Sequence, residues 1–137
     1  MNQPGTDTEP AIAAAVIAHK GKVLLVKRRV KEGTLSWQFP AGAIEAGESA
    51  SQAATREAKE ETGLTVTDSK VLGERVHPST GRTMIYVACD LVAGDARVAD
   101  DEELSEFAWL KHSELPEYVP YGLFEPVQAH LDAVLAN

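Results

Sequence analysis

Glu57, Glu60 and Glu61 stand at i, i+3 and i+4, downstream of Glu45 and Glu48 in the stretch from Gly42 to Leu64. Hard oxygen donors grouped in this way suit a divalent cation such as magnesium, which takes clustered carboxylates and keeps several waters. Ser49, with Gln52 three residues on, reads as a capping box, and the pattern predicts a helix from Ala50 to Thr62 ended by Gly63 in the left-handed conformation. On such a helix the three glutamates fall within about 100° of one another. Ala50, Ala53 and Ala54 share their face, while Gln52, Thr55, Lys59 and Thr62 take the opposite side. Small apolar residues mark the packed side, so the carboxylates are expected to point inward or into a cleft. Like charges at i, i+4 repel, and acids in the last turn oppose the helix dipole by a few tenths of a kcal/mol each, roughly. A bound cation removes that conflict. A solvated acidic face, the ordinary reading of a charge run, would leave the alanines in water.

Gly42, five residues, Glu48, seven residues, then Arg56-Glu57-Ala58-Lys59-Glu60-Glu61-Thr62-Gly63-Leu64 resembles the signature of the Nudix hydrolases. Its seven fixed positions are all matched, a coincidence of roughly 10⁻⁸ to 10⁻⁹ per starting point at average residue frequencies. Ala58 departs mildly, since a larger aliphatic residue is common there. Trp37-Gln38-Phe39-Pro40-Ala41 also resembles the family's approach to the box.

The resemblance implies an α/β fold, a mixed β-sheet sandwiched between helices in an α/β/α arrangement, and hydrolysis of a nucleoside diphosphate linked to another moiety. It assigns Glu57, Glu60 and Glu61 to metal binding and catalysis, with the Ala41 carbonyl completing the coordination of magnesium, or of manganese in its place. Gly42, Gly47 and Gly63 would supply backbone freedom. Arg56 would be structural and pair with Glu48, although an acid in that loop could also reach metal. In the MutT-like branch a glutamate before the last strand joins the site. Glu103 is the best match, with Glu102 and Glu106 as alternatives, and the choice of general base among the carboxylates stays open. Arg28 and Arg29 resemble a basic pair that reaches phosphate or base. A nucleoside triphosphate cleaved to monophosphate and pyrophosphate is the favoured substrate. Pro78 lies near where ADP-ribose-cleaving members carry a proline, so ADP-ribose or a nucleotide sugar is the runner-up. A nucleotide sensor that does not cleave would be expected to lose box acids, and none is lost. Nudix-fold isomerases rely on a cysteine, and Cys89 lies far from the box in sequence.

A chain of 137 residues with 44% hydrophobic content can bury a substantial core. A net charge of −8 without a basic stripe argues against a nucleic-acid polymer as partner, but leaves room for a small phosphorylated nucleotide bridged by metal. The single cysteine, Cys89, excludes an intrachain disulfide and fits the cytoplasm. No run is long enough to span a membrane. A monomer and a homodimer are both compatible with the composition.

To position the box the chain needs strands around it. Residues 1–10 read as a flexible tail and 11–137 as a single domain. Ala11–Ala18 and Lys22–Val26 read as paired strands, Val30–Ser36 as a loop, and Trp37–Phe39 as a short strand. Beyond the helix, Val66–Val76 and Thr83–Leu91 read as strands joined by the turn His77–Arg82, the second covered on both faces. Ala93–Glu103 reads as an acidic loop and Glu106–Leu110 as the last strand. Ser113–Leu115 reads as a helical turn, Pro116–Tyr121 as a loop, and Phe124–Ala136 as a helix. Trp37, Phe39 and Tyr86 are expected in the core, with stacking on a base as the alternative.

Overall fold

The computed structural model describes residues 10–32 and 35–135, so the expected tail lies almost wholly outside the described residues. Strand β1, Ile12–His19, is the axis of the molecule. Its successive side chains point to opposite faces, and both faces are covered. Ala13, Ala15 and Ile17 belong to one apolar cluster, and Ala14 and Val16 to another. The first cluster takes in Ala53, Ala54 and Ala58 of α1, Ala50–Thr62. The second takes in Val127 and Leu131 of the last helix, Glu125–Val134. Full burial of a side chain such as Leu131 contributes about 1.5–3 kcal/mol relative to exposure. The alanines do something different, letting α1 lie close against the sheet.

The remaining strands are β2 (Lys22–Glu32), β3 (Leu35–Gln38), β4 (Ala41–Ala43), β5 (Thr65–Val76), β6 (Thr83–Ala93) and β7 (Leu104–Lys111). The sheet runs β3-β2-β1-β6-β5, with β4 added to β1 and β7 to β2. β1 and β6 are parallel and the other pairs antiparallel, so the sheet is mixed, with helices on both faces. β6 is central, and Tyr86 to Cys89 are buried as expected of a strand covered on both sides. β1 and β2 pair only at their hairpin, through Ala18–Val23 and His19–Lys22. Beyond that point they separate. β3 follows β2, β4 follows β1, and Phe39-Pro40 crosses between them, with Ala15 N–H donating to the Pro40 carbonyl at 2.8 Å. The split between β1 and β2 is where the cleft forms.

Four expectations are corrected. β2 runs on to Glu32 and β3 begins at Leu35, so most of the expected loop from Val30 to Ser36 is strand, with Glu32 and Leu35 paired. β7 starts at Leu104, which is fully buried and pairs with Arg28, rather than at Glu106. Leu115–Tyr118, expected as loop beyond its first residue, forms a short helix, α2, with Pro116 at its start, where a missing N–H costs nothing. The last helix, α3, is shorter at both ends than the periodicity suggested.

Candidate functional site

The loop and helix carrying the acids are held by local chemistry. Ser49 Oγ accepts from Gln52 N–H at 3.0 Å, and the Gln52 side chain accepts from Ser49 N–H at 2.9 Å, which closes the capping box. At the other end Gly63, at φ 79°, donates its N–H to the Lys59 carbonyl. Gly42 is glycine for a different reason. The Glu57 carboxylate lies against it, in the space a Cβ would fill. Arg56 is the hub, its Nε and Nη2 forming a fork to Glu48 at 2.8 and 3.0 Å. Nη2 also reaches the Ala43 carbonyl at 2.9 Å, and Nη1 reaches Glu57 at 2.9 Å and Glu60 at 3.2 Å. The Arg56 hydrogen bonds hold the Glu48 carboxyl down to about 2. The same fork raises the pKa of Arg56.

The three glutamates do not share one environment. Glu61 is 4% exposed, and burial pushes its carboxyl up to about 7 against the opposing pull of Arg28. It accepts from Ala41 N–H at 3.2 Å and from Arg28 Nη1 and Nη2 at 3.1 and 3.3 Å. Glu57 is half-buried and raised, again chiefly by desolvation. Glu60 corrects the expectation of an inward triad, since its side chain is 55% exposed and leans on Arg56 one turn back. Thr62 corrects it in the other sense. Expected on the solvent side, it is fully buried, because the 94–99 loop folds over the helix end, with Arg97 and Ala99 N–H donating to the carbonyls of Thr62 and Glu61.

Arg28 and Arg29 part company. Arg28 enters the split in the sheet, 9% exposed, and donates to Glu61, to the Ala41 carbonyl at 3.0 Å, and at 3.5 Å to Glu103. Arg29, next along the strand, is exposed and donates to the Asp101 carbonyl at 2.6 Å, bracing the acidic loop. A bulge in β7 beside Lys27 lets the ladder resume at Arg28–Leu104, which sets Glu103 beside Arg28. Of the three acids considered in that region, Glu103 reaches the cleft. Glu106 pairs with Lys27 at 3.7 Å, and Glu102 is exposed. Cys89 is buried with its thiol pushed up to about 12, a protonated core group and not a nucleophile.

Ala41, Gly42, Arg28 and Glu103 line one end of the cleft together with Gln38, Thr80 and Met84. The last three also line a second, open pocket, so the two adjoin. Its walls are aromatic. Phe39 and Tyr86 meet edge to face at 6.3 Å, Tyr86 and Phe124 lie 5.5 Å apart, and Arg75 sits 4.9 Å over the Phe124 ring. Phe39 and Tyr86 thus serve the core and line the pocket at once. Trp37 also lines it, packing against Tyr118 at 5.0 Å. Gln38, Arg75 and Phe124 were not singled out from sequence. They come from separate segments, and no local pattern connects them.

Among the described residues no three His, Cys, Asp or Glu side chains converge closely enough to hold an ion by themselves. Magnesium asks for less, commonly one or two carboxylates with waters and substrate phosphate. Glu57 and Glu61 flank the Ala41–Gly42 wall, and the Ala41 carbonyl faces Arg28, a cation already drawn to these oxygens. The donor set is all hard oxygen and fits such an ion. Among the described residues no helix is long and apolar enough to cross a membrane.

The NUDIX domain model matches residues 7–131. A Methanocaldococcus jannaschii protein named ADP-ribose pyrophosphatase is 33% identical over 103 residues, covering 72% of this chain and 61% of that protein. A MutT-like protein of Streptomyces ambofaciens is 29% identical over 122 residues, covering 85% and 76%. The chain spans less than two thirds of several relatives that it matches, 29% of one and 41% of another. Among solved structures, a NUDIX hydrolase from Nitrosomonas europaea aligns with TM-score 0.75 at 22% identity, covering 93% of this chain and 73% of that one.

Proposed function

The chain belongs to the NUDIX family, and on that premise we propose that it is a magnesium-dependent pyrophosphohydrolase whose main substrates are nucleoside triphosphates, cleaved to monophosphate and pyrophosphate. The observation that carries this reading is the adjacency of the carboxylate-lined end of the cleft to an aromatic pocket. An end lined by Ala41, Gly42, Arg28 and Glu103 adjoins an open aromatic pocket, the two sharing Gln38, Thr80 and Met84. Phosphates would lie at the first end and the base in the second.

Glu57, Glu61 and the Ala41 carbonyl, with Glu60 on the solvent side, would hold magnesium, which would supply charge to screen the phosphates and acidify a water. Arg28 is placed to exchange its carboxylate partners for phosphate oxygens as the substrate enters. A carboxylate of the cleft accepts the proton of the water that attacks phosphorus; the new P–O bond forms as the bond to the bridging oxygen breaks, and the leaving phosphate departs with that electron pair. Glu57, Glu61 and Glu103 are the candidates for this proton transfer. Gly42, Glu48, Arg56 and Gly63 hold the loop and helix in place, and Arg29 steadies the loop bearing Glu103.

ADP-ribose is the second reading, favoured by the M. jannaschii relative and by Pro78, which sits in the turn whose His77 and Thr80 line the pocket. One experiment separates the two: a product screen with magnesium over nucleoside triphosphates, ADP-ribose, nucleotide sugars and dinucleoside polyphosphates. Turnover of triphosphates well above the rest supports the first reading, and the reverse order supports the second. No turnover of any compound by folded protein leaves a non-hydrolytic nucleotide binder.

A further inference from the structure

Arg28 stands on the oxygens assigned above to the metal. Its side chain is 9% exposed, and the guanidinium donates from Nη2 to the Ala41 carbonyl at 3.0 Å and to Glu61 Oε1 at 3.3 Å, and from Nη1 to Glu61 Oε2 at 3.1 Å. Both carboxylate oxygens and the carbonyl are thus taken by one side chain. The remaining contact, Nη1 to Glu103 at 3.5 Å, is longer and reaches an acid that is 62% exposed. Arg56 is held differently. It also touches acids of the box, but its fork on Glu48 at 2.8 and 3.0 Å and its bond to the Ala43 carbonyl at 2.9 Å tie it to groups outside the metal set. Arg56 therefore keeps its anchorage when an ion binds. Arg28 does not, because every hydrogen bond of its side chain shorter than 3.5 Å, among the described residues, ends on an oxygen assigned to the metal.

Resting on the reading of Glu57, Glu61 and the Ala41 carbonyl as metal donors, we infer that Arg28 is a positioning residue that competes with the metal from within the protein. It holds Glu61 and the Ala41 carbonyl together while the site is free of metal, and it excludes a divalent ion until the guanidinium moves away. A small divalent ion demands near-ideal octahedral geometry, so it needs the lone pairs that now face Arg28. A positive charge kept on the same oxygens, away from water, also repels the ion far more than it would in solvent. In return Arg28 supplies the countercharge without which a buried Glu61 carboxylate would stand alone. Apparent metal affinity is then the intrinsic affinity reduced by the fraction of molecules in which Arg28 has left.

The test is the binding of manganese to the full chain at pH 8 without nucleotide, with the free ion counted by electron paramagnetic resonance. Arg28→Gln, which keeps donors but no charge, is expected to bind manganese about tenfold more tightly than the parent or better. Arg28→Lys keeps the charge without the fork and should fall between the two, and it carries the comparison if Arg28→Gln does not fold. Lys27→Gln removes the same charge from the preceding residue, which pairs with Glu106 at 3.7 Å and is exposed, and it should bind like the parent. Damage to a merely structural residue would weaken metal binding, not tighten it. Equal or weaker binding by the Arg28 variants, or an equal gain in Lys27→Gln, would overturn the inference. Adding Glu61→Gln to Arg28→Gln separates it from the reading on which it rests. Loss of the gained affinity places the ion on Glu61, as both require. Tight binding that survives puts the ion elsewhere and removes both, whereas binding that needs Glu61 but ignores Arg28 keeps the metal site and removes the inference alone.

Discussion

Replacing Arg56 with alanine should unfold the protein more easily before it affects any chemistry. The side chain is 23% exposed and forks onto Glu48, itself 15% exposed, while also bonding Glu57 and the Ala43 carbonyl. Breaking a buried charge pair by removing one partner costs about 3–5 kcal/mol, and exposed pairs about 0–1. With about a quarter of Arg56 facing water the loss should fall at roughly 2–3 kcal/mol, a drop in Tm on the order of 10 °C for a chain of this size. Arg56→Lys keeps the charge but loses the fork and should lie between the two. The pH dependence gives a second check. Glu48 is held at about 2, below its unfolded value near 4.5, so its pairing stabilises the fold above that unfolded value and is lost as pH falls toward 2. The deficit of Arg56→Ala should therefore be full above about pH 5.5 and shrink in acid. Urea denaturation of the three proteins from pH 3 to 8 measures this. A Tm within about 2 °C of the parent for Arg56→Ala, or a deficit independent of pH, would refute the bracing role and point to direct phosphate contact.

The other expectations concern the cleft. Glu61→Gln should lower turnover by roughly two orders of magnitude or more. Because burial raises the Glu61 carboxyl to about 7 from near 4.5, its ionisation opposes folding increasingly as pH climbs through that window, so in chelator the variant should lose less stability than the parent between pH 5 and 8. Glu103→Gln should cost about 10² to 10⁴ in rate with little change in Tm, while Glu102→Gln and Glu106→Gln stay near the parent. Equal behaviour of all three would return the proton transfer to the box. Arg28→Ala should lower both stability and kcat/KM, since it strips a buried carboxylate of its partner, and Arg29→Ala should leave kcat/KM nearly unchanged.

What could be read from the chain follows the range of the interactions involved. The capping box of Ser49 and Gln52 and the Gly63 stop act over a few residues and were legible as spacing, while the Arg56–Glu48 pair, eight residues apart, came from the family resemblance. β1 was legible because eight apolar-rich residues admit little besides a buried strand. Thr62 was misplaced because its burial depends on a loop more than thirty residues away, and Glu60 because the reach of Arg56 draws it outward. Arg28 was singled out, but its partner was not, since a bond to Glu61 spans 33 positions. The aromatic pocket was hidden most completely. Gln38 and Arg75 are unremarkable in their own segments, and only the parting of β1 from β2 and the return of Phe124 bring them together.

The central claim is that the oxygens around Ala41, Glu57 and Glu61 and the adjoining pocket form one hydrolytic site. The most direct test is product analysis by anion exchange after incubating the parent and the Glu57→Gln/Glu61→Gln double variant with a nucleoside triphosphate and magnesium. Monophosphate and pyrophosphate in equal amounts from the parent, lost in excess chelator and in a folded double variant, is the predicted result. Undiminished product in chelator or from the double variant would contradict the account, as would orthophosphate and diphosphate in place of pyrophosphate and monophosphate.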